Sequence, residues 1–174
     1  MTIFYLIRHG EPAWDINEKY KLKGHGRDLV QLTQIGIEQV NKTSKEERLK
    51  NAQIILSSPY TRALQTAAIL SKELQLEIQV EFDLREWQPD LTFQFDSMER
   101  LNELVNEFNK HNGEYPEEET RLWESKSMMK ARVEEVLNRY LNYDYVIAVG
   151  HGMIFRTQCE VEEIPHASII EYNK

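Results

Sequence analysis

The sequence predicts an α/β protein of three layers, a mostly parallel sheet with helices on both faces, and three observations carry that prediction. Apolar runs free of turn formers occur at residues 2–7, 54–56 and 145–149, as buried strands require. Stretches between them repeat apolar residues at three and four residue spacing, which suits helices that cover a sheet. The two patterns alternate along the chain, an order that favours parallel pairing.

Length and charge narrow the function classes. A chain of 174 residues is long enough for one domain with a full core, and residues 1–174 are read as a single domain. The formal net charge of -8 argues against nucleic acid or an anionic membrane as partner, because both want a basic face. Any anion site must therefore be a local cluster of cations. Cys159 is the single cysteine and cannot form an internal disulfide, which fits a reducing compartment. Residues 2–7 are too short for a signal-peptide core or a membrane span, so a cytoplasmic protein is expected.

The first strand, residues 2–7, stops at Arg8-His9-Gly10-Glu11. Arg8 and His9 thus fall at a carboxyl end of the sheet, where open α/β folds hold ligands. A guanidinium beside an imidazole, with a glycine that lets the backbone come close, suits an anion held against a nucleophile. Taken alone, Arg-His-Gly is equally an ordinary strand end. Residues 11–30 are polar and irregular, with Gly24, Gly26 and the charges Lys19, Lys21, Lys23, His25 and Arg27. A loop of this length usually serves a site.

Thr33 caps a helix predicted to run to about Lys50, with Ile35, Ile37 and Val40 inward. A second strand, 54–56, ends at Ser57-Ser58-Pro59, and Pro59 suits the first turn of a helix whose stripe is Ala63, Leu64, Ala67, Ala68 and Leu70. Arg62 falls in that first turn, beside free backbone amides that favour anions, though a lone arginine is more often a surface residue. Residues 76–82 alternate apolar and polar side chains as a half-buried strand and lead into Leu84-Arg85-Glu86-Trp87.

From Gln88 to Lys126 the composition turns aromatic and acidic, with a helix over 97–111 capped by Asp96 with Glu99 at the capping-box position, then an acidic loop, 114–120. A helix over 127–142 follows, its Met128, Val133, Val136, Leu137 and Tyr140 spaced for burial. The strand 145–149 ends in Gly150-His151-Gly152, and a short helix, 153–159, and a last strand, 167–172, close the chain.

Four separated signals now share one geometry: Arg8-His9-Gly10, Arg62, Glu86 and His151. In this order they resemble the histidine phosphatase superfamily, of phosphoglycerate-mutase-like fold, over almost the whole chain. The most specific matches are residues 6–11 (LIRHGE), residues 57–67 (SSPYTRALQTA) and residues 149–152 (VGHG), joined by Leu32-Thr33 with Gly36.

The resemblance implies that His9 is the nucleophile that takes a phosphoryl group, that Arg8, Arg62 and His151 bind its oxygens, and that Glu86 protonates the leaving oxygen. The chemistry agrees. A neutral imidazole attacks phosphorus and yields a labile phosphohistidine. Its tautomer needs a partner on the other ring nitrogen, for which a backbone carbonyl suffices. Cations around the equatorial oxygens supply most of the stabilisation, and the arginine fork holds two oxygens at once. For Glu86 the competing reading is a salt bridge to Arg85. His9 and His151 as metal ligands lack a carboxylate or thiol at the usual spacing, so no metal and no cofactor are expected.

Two positions depart from the family. Pro12 stands where many members have Thr or Ser, and Asp15 where mutase-like members commonly have Asn, with Asn17 as a substitute. Lys23, His25 and Arg27 add charge at the pocket mouth or are simply solvated, so Asn17, Lys23 and His25 are read as a possible rim.

Mutases of the superfamily carry long basic insertions, whereas residues 87–126 here are aromatic and acidic. The expectation is therefore a phosphomonoester hydrolase acting on a small phosphorylated substrate, with about 87–126 as a lid over the leaving group. The alternatives are a bisphosphate-primed mutase and a non-catalytic module that binds a phospho-ligand. Substrate identity and oligomeric state are not encoded in these motifs.

Overall fold

A computed structural model describes residues 1–159 and 161–174, with the side chain of His25 outside the described set. Five strands form one sheet: β1 (Ile3–Arg8), β2 (Ile54–Ser57), β3 (Ile78–Val80), β4 (Tyr145–Gly150) and β5 (Ile169–Asn173). Their order across the sheet is β3-β2-β4-β1-β5, parallel throughout except for β5, which runs antiparallel to β1.

Period-two alternation along the strands feeds two separate cores. Phe4, Leu6, Leu56, Val146 and Ala148 face one side, where they meet Leu104 and Phe108 of α4 (Met98–Lys110), Val133 and Val136 of α5 (Lys126–Asn138), and Ile154 and Phe155 of α6 (Gly152–Arg156). Tyr5, Ile7, Ile55, Ile147 and Val149 face the other, against Val40 of α2 (Gln34–Thr43) and Ala63, Ala67 and Leu70 of α3 (Thr61–Leu74). A short α1 (Asp15–Tyr20) lies in the polar stretch after β1. The predicted three layers are present, because every central strand residue from Phe4 to Ile7 and from Val146 to Val149 is buried.

Several boundaries differ from the sequence reading. The helix expected to reach Lys50 stops at Thr43, and residues Glu47–Asn51 form a separate 3-10 turn that tucks Leu49 inward. The polar stretch between them offers no inward stripe to continue the helix. Ile35, expected inside, is 58% exposed. Pro59 precedes α3, which starts at Thr61. β3 is shortened to three residues as the sheet edge, with Val80 and Phe82 exposed and the Phe82 ring 4.4 Å from the Arg85 guanidinium carbon. Ser97, not Asp96, caps α4 by accepting from the Arg100 N–H. α5 ends at Asn138, and Met129 takes the buried position expected of Met128. α6 ends at Arg156 rather than 159.

The aromatic stretch turns its large rings inward. Trp87, Phe108, Trp123 and Tyr115 form a chain of contacts with centroids 4.9 to 5.2 Å apart, and Trp123 is fully buried. Trp87 Nε1 donates to the Glu124 carbonyl and Trp123 Nε1 to Glu107 Oε2. The buried rings thus anchor α4 and its flanking loops to the sheet.

Candidate active site

The parallel register places the site. Arg8 pairs with Gly150 across β1 and β4, so the next residues, His9 and His151, emerge side by side, while β2, which pairs with β4 on its other edge, delivers Ser58. The His9 and His151 ring centroids are 5.1 Å apart in an edge-to-face arrangement. The loop after His9 turns tightly because Gly10 lies against Gly36 at the start of α2. A Cβ on Gly10 would meet the Gly36 carbonyl oxygen at 2.6 Å, and one on Gly36 would meet the Glu11 oxygen at 2.3 Å.

His9 is 4% exposed. Its Nδ1 lies 2.7 Å from the Gly10 carbonyl oxygen, which can accept but not donate. Nδ1 therefore carries the ring hydrogen and Nε2 keeps its lone pair. Burial, and then the charge of Arg62, push the His9 pKa down to about 3, against a weaker opposing effect of the Gly10 carbonyl. His151 is fully buried, and the same two causes hold its pKa well below the usual histidine value. Its Nε2 is 2.8 Å from Ser58 Oγ. The Ser58 oxygen accepts from the Tyr60 N–H. In the tautomer in which the Ser58 hydroxyl donates to Nε2, the His151 hydrogen lies on Nδ1, which has no partner.

Arg8 donates to the Ile164 carbonyl at 2.6 Å, and its Nε, 3.5 Å from where a Gly152 Cβ would stand, is buried and unpartnered. Arg62 is 4% exposed. Its guanidinium pairs with Asp28 at 3.3 Å and lies near the rings of Trp14 and Tyr60, 5.3 and 5.1 Å from their centroids. Its Nε is buried and unpartnered too. An unsatisfied buried donor costs roughly 1–3 kcal/mol. Three such atoms belong to Arg8, Arg62 and His151, the residues that flank His9.

Glu86 is half-buried beyond the 3-10 turn Phe82–Leu84. Its carboxylate accepts from the Trp87 N–H at 2.9 Å and the Met153 N–H at 3.4 Å. It lines two cavities. One, about 400 Å³, also touches Arg8, Gly152, Arg156, Glu162 and Glu163. The other, about 250 Å³, touches Arg62, Trp14, Trp87, Phe95 and Leu101. The ion pairs of Arg85 are with Asp83 and Glu124, not with Glu86.

The loop that carries Glu86 is held from below. Arg132 of α5, buried, donates to the carbonyls of Asp83, Arg85 and Glu86, and its other edge grips Glu124 at 2.5 and 2.9 Å. Glu124, 1% exposed, accepts in turn from the Gln88 N–H. Both charges are satisfied by fork geometry and backbone, which is what burial of an ion pair demands.

The structure brings together His9, Arg8, Arg62, His151 and Glu86. It does not bring Asn17 and Lys23 to the cup: they line an adjoining hollow of about 470 Å³ with Asp96 and Met98, and His25 lies outside the described side chains. Arg27 does reach the second Glu86 cavity, packed 5.9 Å from the Trp14 centroid. Pro12 is buried in a bridge to Leu32, and Asp15 is exposed in the first turn of α1. Asp28, Ser58, Arg132 and Glu124 escaped the sequence reading, as did His166, whose ring centroid is 5.6 Å from that of His9. Trp14 and Asp28 sit in the irregular loop flagged as serving a site, where attention to cations alone passed them over. Among the described residues no group of three or more His, Cys, Asp or Glu is arranged to hold a metal ion.

Fold and site together define a class: a three-layer α/β protein with a buried, cation-lined cup at the carboxyl ends of parallel strands. The sequence profile of the histidine phosphatase superfamily (branch 1) matches residues 4–171, and the chain belongs to that family. It is 35% identical over 83 residues to a Bacillus subtilis protein named uncharacterized phosphatase PhoE, covering 48% of this chain and 40% of that protein. It is 33% identical over 88 residues to a Proteus mirabilis protein named probable phosphoglycerate mutase GpmB, covering 49% and 38%. Each alignment spans about half of this chain and less than half of the relative. Among solved structures, a mycobacterial glucosyl-3-phosphoglycerate phosphatase superposes with a TM-score of 0.73 at 17% identity, over 98% of this chain and 92% of that one. A phosphoserine phosphatase from Entamoeba histolytica superposes with a TM-score of 0.67 at 26% identity, over 98% and 90%. No helix among the described residues is long and apolar enough to cross a membrane.

Proposed function

We propose that the chain is a metal-independent phosphomonoester hydrolase that works through a phosphohistidine on His9. The observation that carries this reading is the set of unpartnered buried donors, Arg8 Nε, Arg62 Nε and His151 Nδ1, around a histidine whose Nε2 is left without a hydrogen. The substrate phosphate takes those donors as ligands for its oxygens. His9 Nε2 attacks phosphorus, the bond to the ester oxygen breaks, and Glu86 in its acid form gives that oxygen a proton. Nδ1–H stays on the Gly10 carbonyl, so positive charge that develops on the ring is met by a fixed dipole. In the second step Glu86, now a carboxylate, takes a proton from water as its oxygen attacks the phosphohistidine, returning His9 and releasing phosphate. A His9 pKa of about 3 keeps the nucleophile neutral through the whole physiological range.

Membership of the family and the phosphatase names among its relatives support hydrolysis. The segment 87–126 acts in this reading as a wall over the leaving group rather than as a separate domain. The test is phosphate release from phenyl phosphate by wild type and His9→Ala, with an alkaline quench to retain phosphohistidine. Wild type should turn over and carry the label, and His9→Ala should lose at least about 10⁴-fold in kcat/KM. Equal rates in the two proteins would remove the proposal. Strict dependence on a bisphosphate primer would instead make the chain a mutase.

A further inference from the structure

Glu86 stands between two similarly open cavities of opposite character, one lined by charges and one by rings and branched chains, so the chemistry of the walls decides which leaving group each would take. The cavity on the Arg8 side is lined by Arg156, Glu162 and Glu163, all exposed charges. The one on the Arg62 side is walled by Trp14, Tyr60, Trp87, Phe95, Leu101 and Val105. We propose that this second cavity is the leaving-group site, and that it selects phosphate esters of compact, uncharged apolar alcohols, aryl or branched alkyl, over phosphorylated acids.

Charge balance supplies the selectivity. The cations that line the aromatic cavity are Arg27 and Arg62. Arg62 is paired with Asp28 at 3.3 Å, and Arg27 lies in the field of the same carboxylate, with its guanidinium against Trp14 and bonded to the sulfur of Met98. With Arg62 turned to the phosphate and Glu86 in its acid form, Arg27 and Asp28 balance each other, and a second anionic group on the substrate would find no surplus cation among the described lining residues. Desolvating such a group without a partner is unfavourable, whereas rings and branched chains gain from the aromatic walls. The volume, about 250 Å³, is below the range usual for drug-sized ligands, so the fit is to a small group. This selectivity contrasts with the carboxylated substrates that appear in the names of the structural neighbours.

The inference rests on the hydrolase reading, and one panel separates the two. Phenyl, 1-naphthyl and 3-carboxyphenyl phosphate and 3-phosphoglycerate are compared by kcat/KM in wild type, His9→Ala, Phe95→Ala and Leu101→Arg. Wild type should favour phenyl over 3-carboxyphenyl phosphate by about 10-fold or more, and 3-phosphoglycerate should be poorest. Leu101→Arg, which adds an uncommitted cation to the wall, should shift the phenyl to carboxyphenyl ratio toward the acid by about 10-fold. Phe95→Ala should lower the naphthyl to phenyl ratio, a readout that serves if the arginine variant does not fold. Wild-type rates that are equal across the panel, or highest for the carboxylated esters, overturn the selectivity while leaving His9 chemistry intact. Activity of His9→Ala equal to wild type overturns the hydrolase reading itself.

Discussion

In the proposed reading, the half of the site that faces phosphate and the half that faces the leaving group are built by different means. Arg8, His9, Ser58 and His151 hang from the ends of three neighbouring parallel strands, and Arg62 from the first turn of α3. Their positions follow from sheet register, and the two rings are almost wholly out of water. Glu86, by contrast, stands on a loop, with backbone amides as its own ligands and an ion pair from α5 beneath it. The proposed leaving-group walls come from α4 and the stretch before it, joined by Trp14 and Tyr60. The contrast teaches that one half is fixed by topology and the other by side-chain bonds that can be altered without disturbing the sheet.

Substitutions can break that division, and the largest effect should come from the topological half. Arg62→Met removes an oxyanion ligand and should lower kcat by about 10²–10³-fold on every ester, whatever the leaving group. Steady-state kinetics on phenyl and ethyl phosphate check this, and a loss confined to one ester would blur the two halves. Glu86→Gln should cost about 10²-fold or more in kcat/KM on ethyl phosphate but little in kcat/KM on 4-nitrophenyl phosphate, whose oxygen leaves without a proton, while loss of the base for the shared second step lowers kcat on both. Equal losses in kcat/KM on both esters would deny Glu86 its role as acid.

Arg132→Lys keeps the buried charge but loses the fork that grips the Asp83–Glu86 carbonyls, so Glu86 should be misplaced rather than lost. The expected loss in kcat/KM is about 10-fold on ethyl phosphate and much less on 4-nitrophenyl phosphate. A general weakening of the fold would reduce both alike.

Acid titration sharpens the contrast from the other side. His9 has a folded pKa of about 3 against an unfolded value near 6.5, and His151 is shifted the same way. Between these values the unfolded chain binds protons that the folded one refuses. The stabilisation from His9 is therefore complete above about pH 6.5 and is lost as pH falls toward 3, at roughly 1 kcal/mol per pH unit, with His151 acting in the same direction. Urea midpoints from pH 7 to 4 should fall in wild type, and His9→Gln should flatten the slope.

The same division explains what the sequence made legible. The strand ends could be read because a buried strand announces itself in consecutive residues, and the residue after it has one place to go. His9 and His151 met in the structure for that reason, and Arg62 joined them from the helix start that follows β2. Arg132 and Glu124 could not be read, since their partners lie 36 to 49 residues away in a loop, and a charged residue on a helix ordinarily faces water. Ser97 replaced Asp96 as the cap of α4 because adjacent capping residues compete on backbone geometry alone. The edge strand β3 came out shorter than its alternation suggested, for want of a second neighbour to pair with.

The antiparallel strand β5 carries a consequence for how the nucleophile loop is held. The Ala167 N–H donates to the carbonyls of both Arg8 and His9, with Ala167 itself held at φ +56°, and the Arg8 guanidinium rests on the carbonyl of Ile164, 156 positions further along. The earliest residues of the nucleophile loop are thus moored by the latest ones. Residues 3–157 carry four of the five strands and hold His9 through Gly150 and Gly10 through Thr66, and the 164–173 segment adds the last strand and a second set of moorings beside β1. The His9 loop is thereby backed from both edges of β1, by β4 on one side and by the segment that leads into β5 on the other.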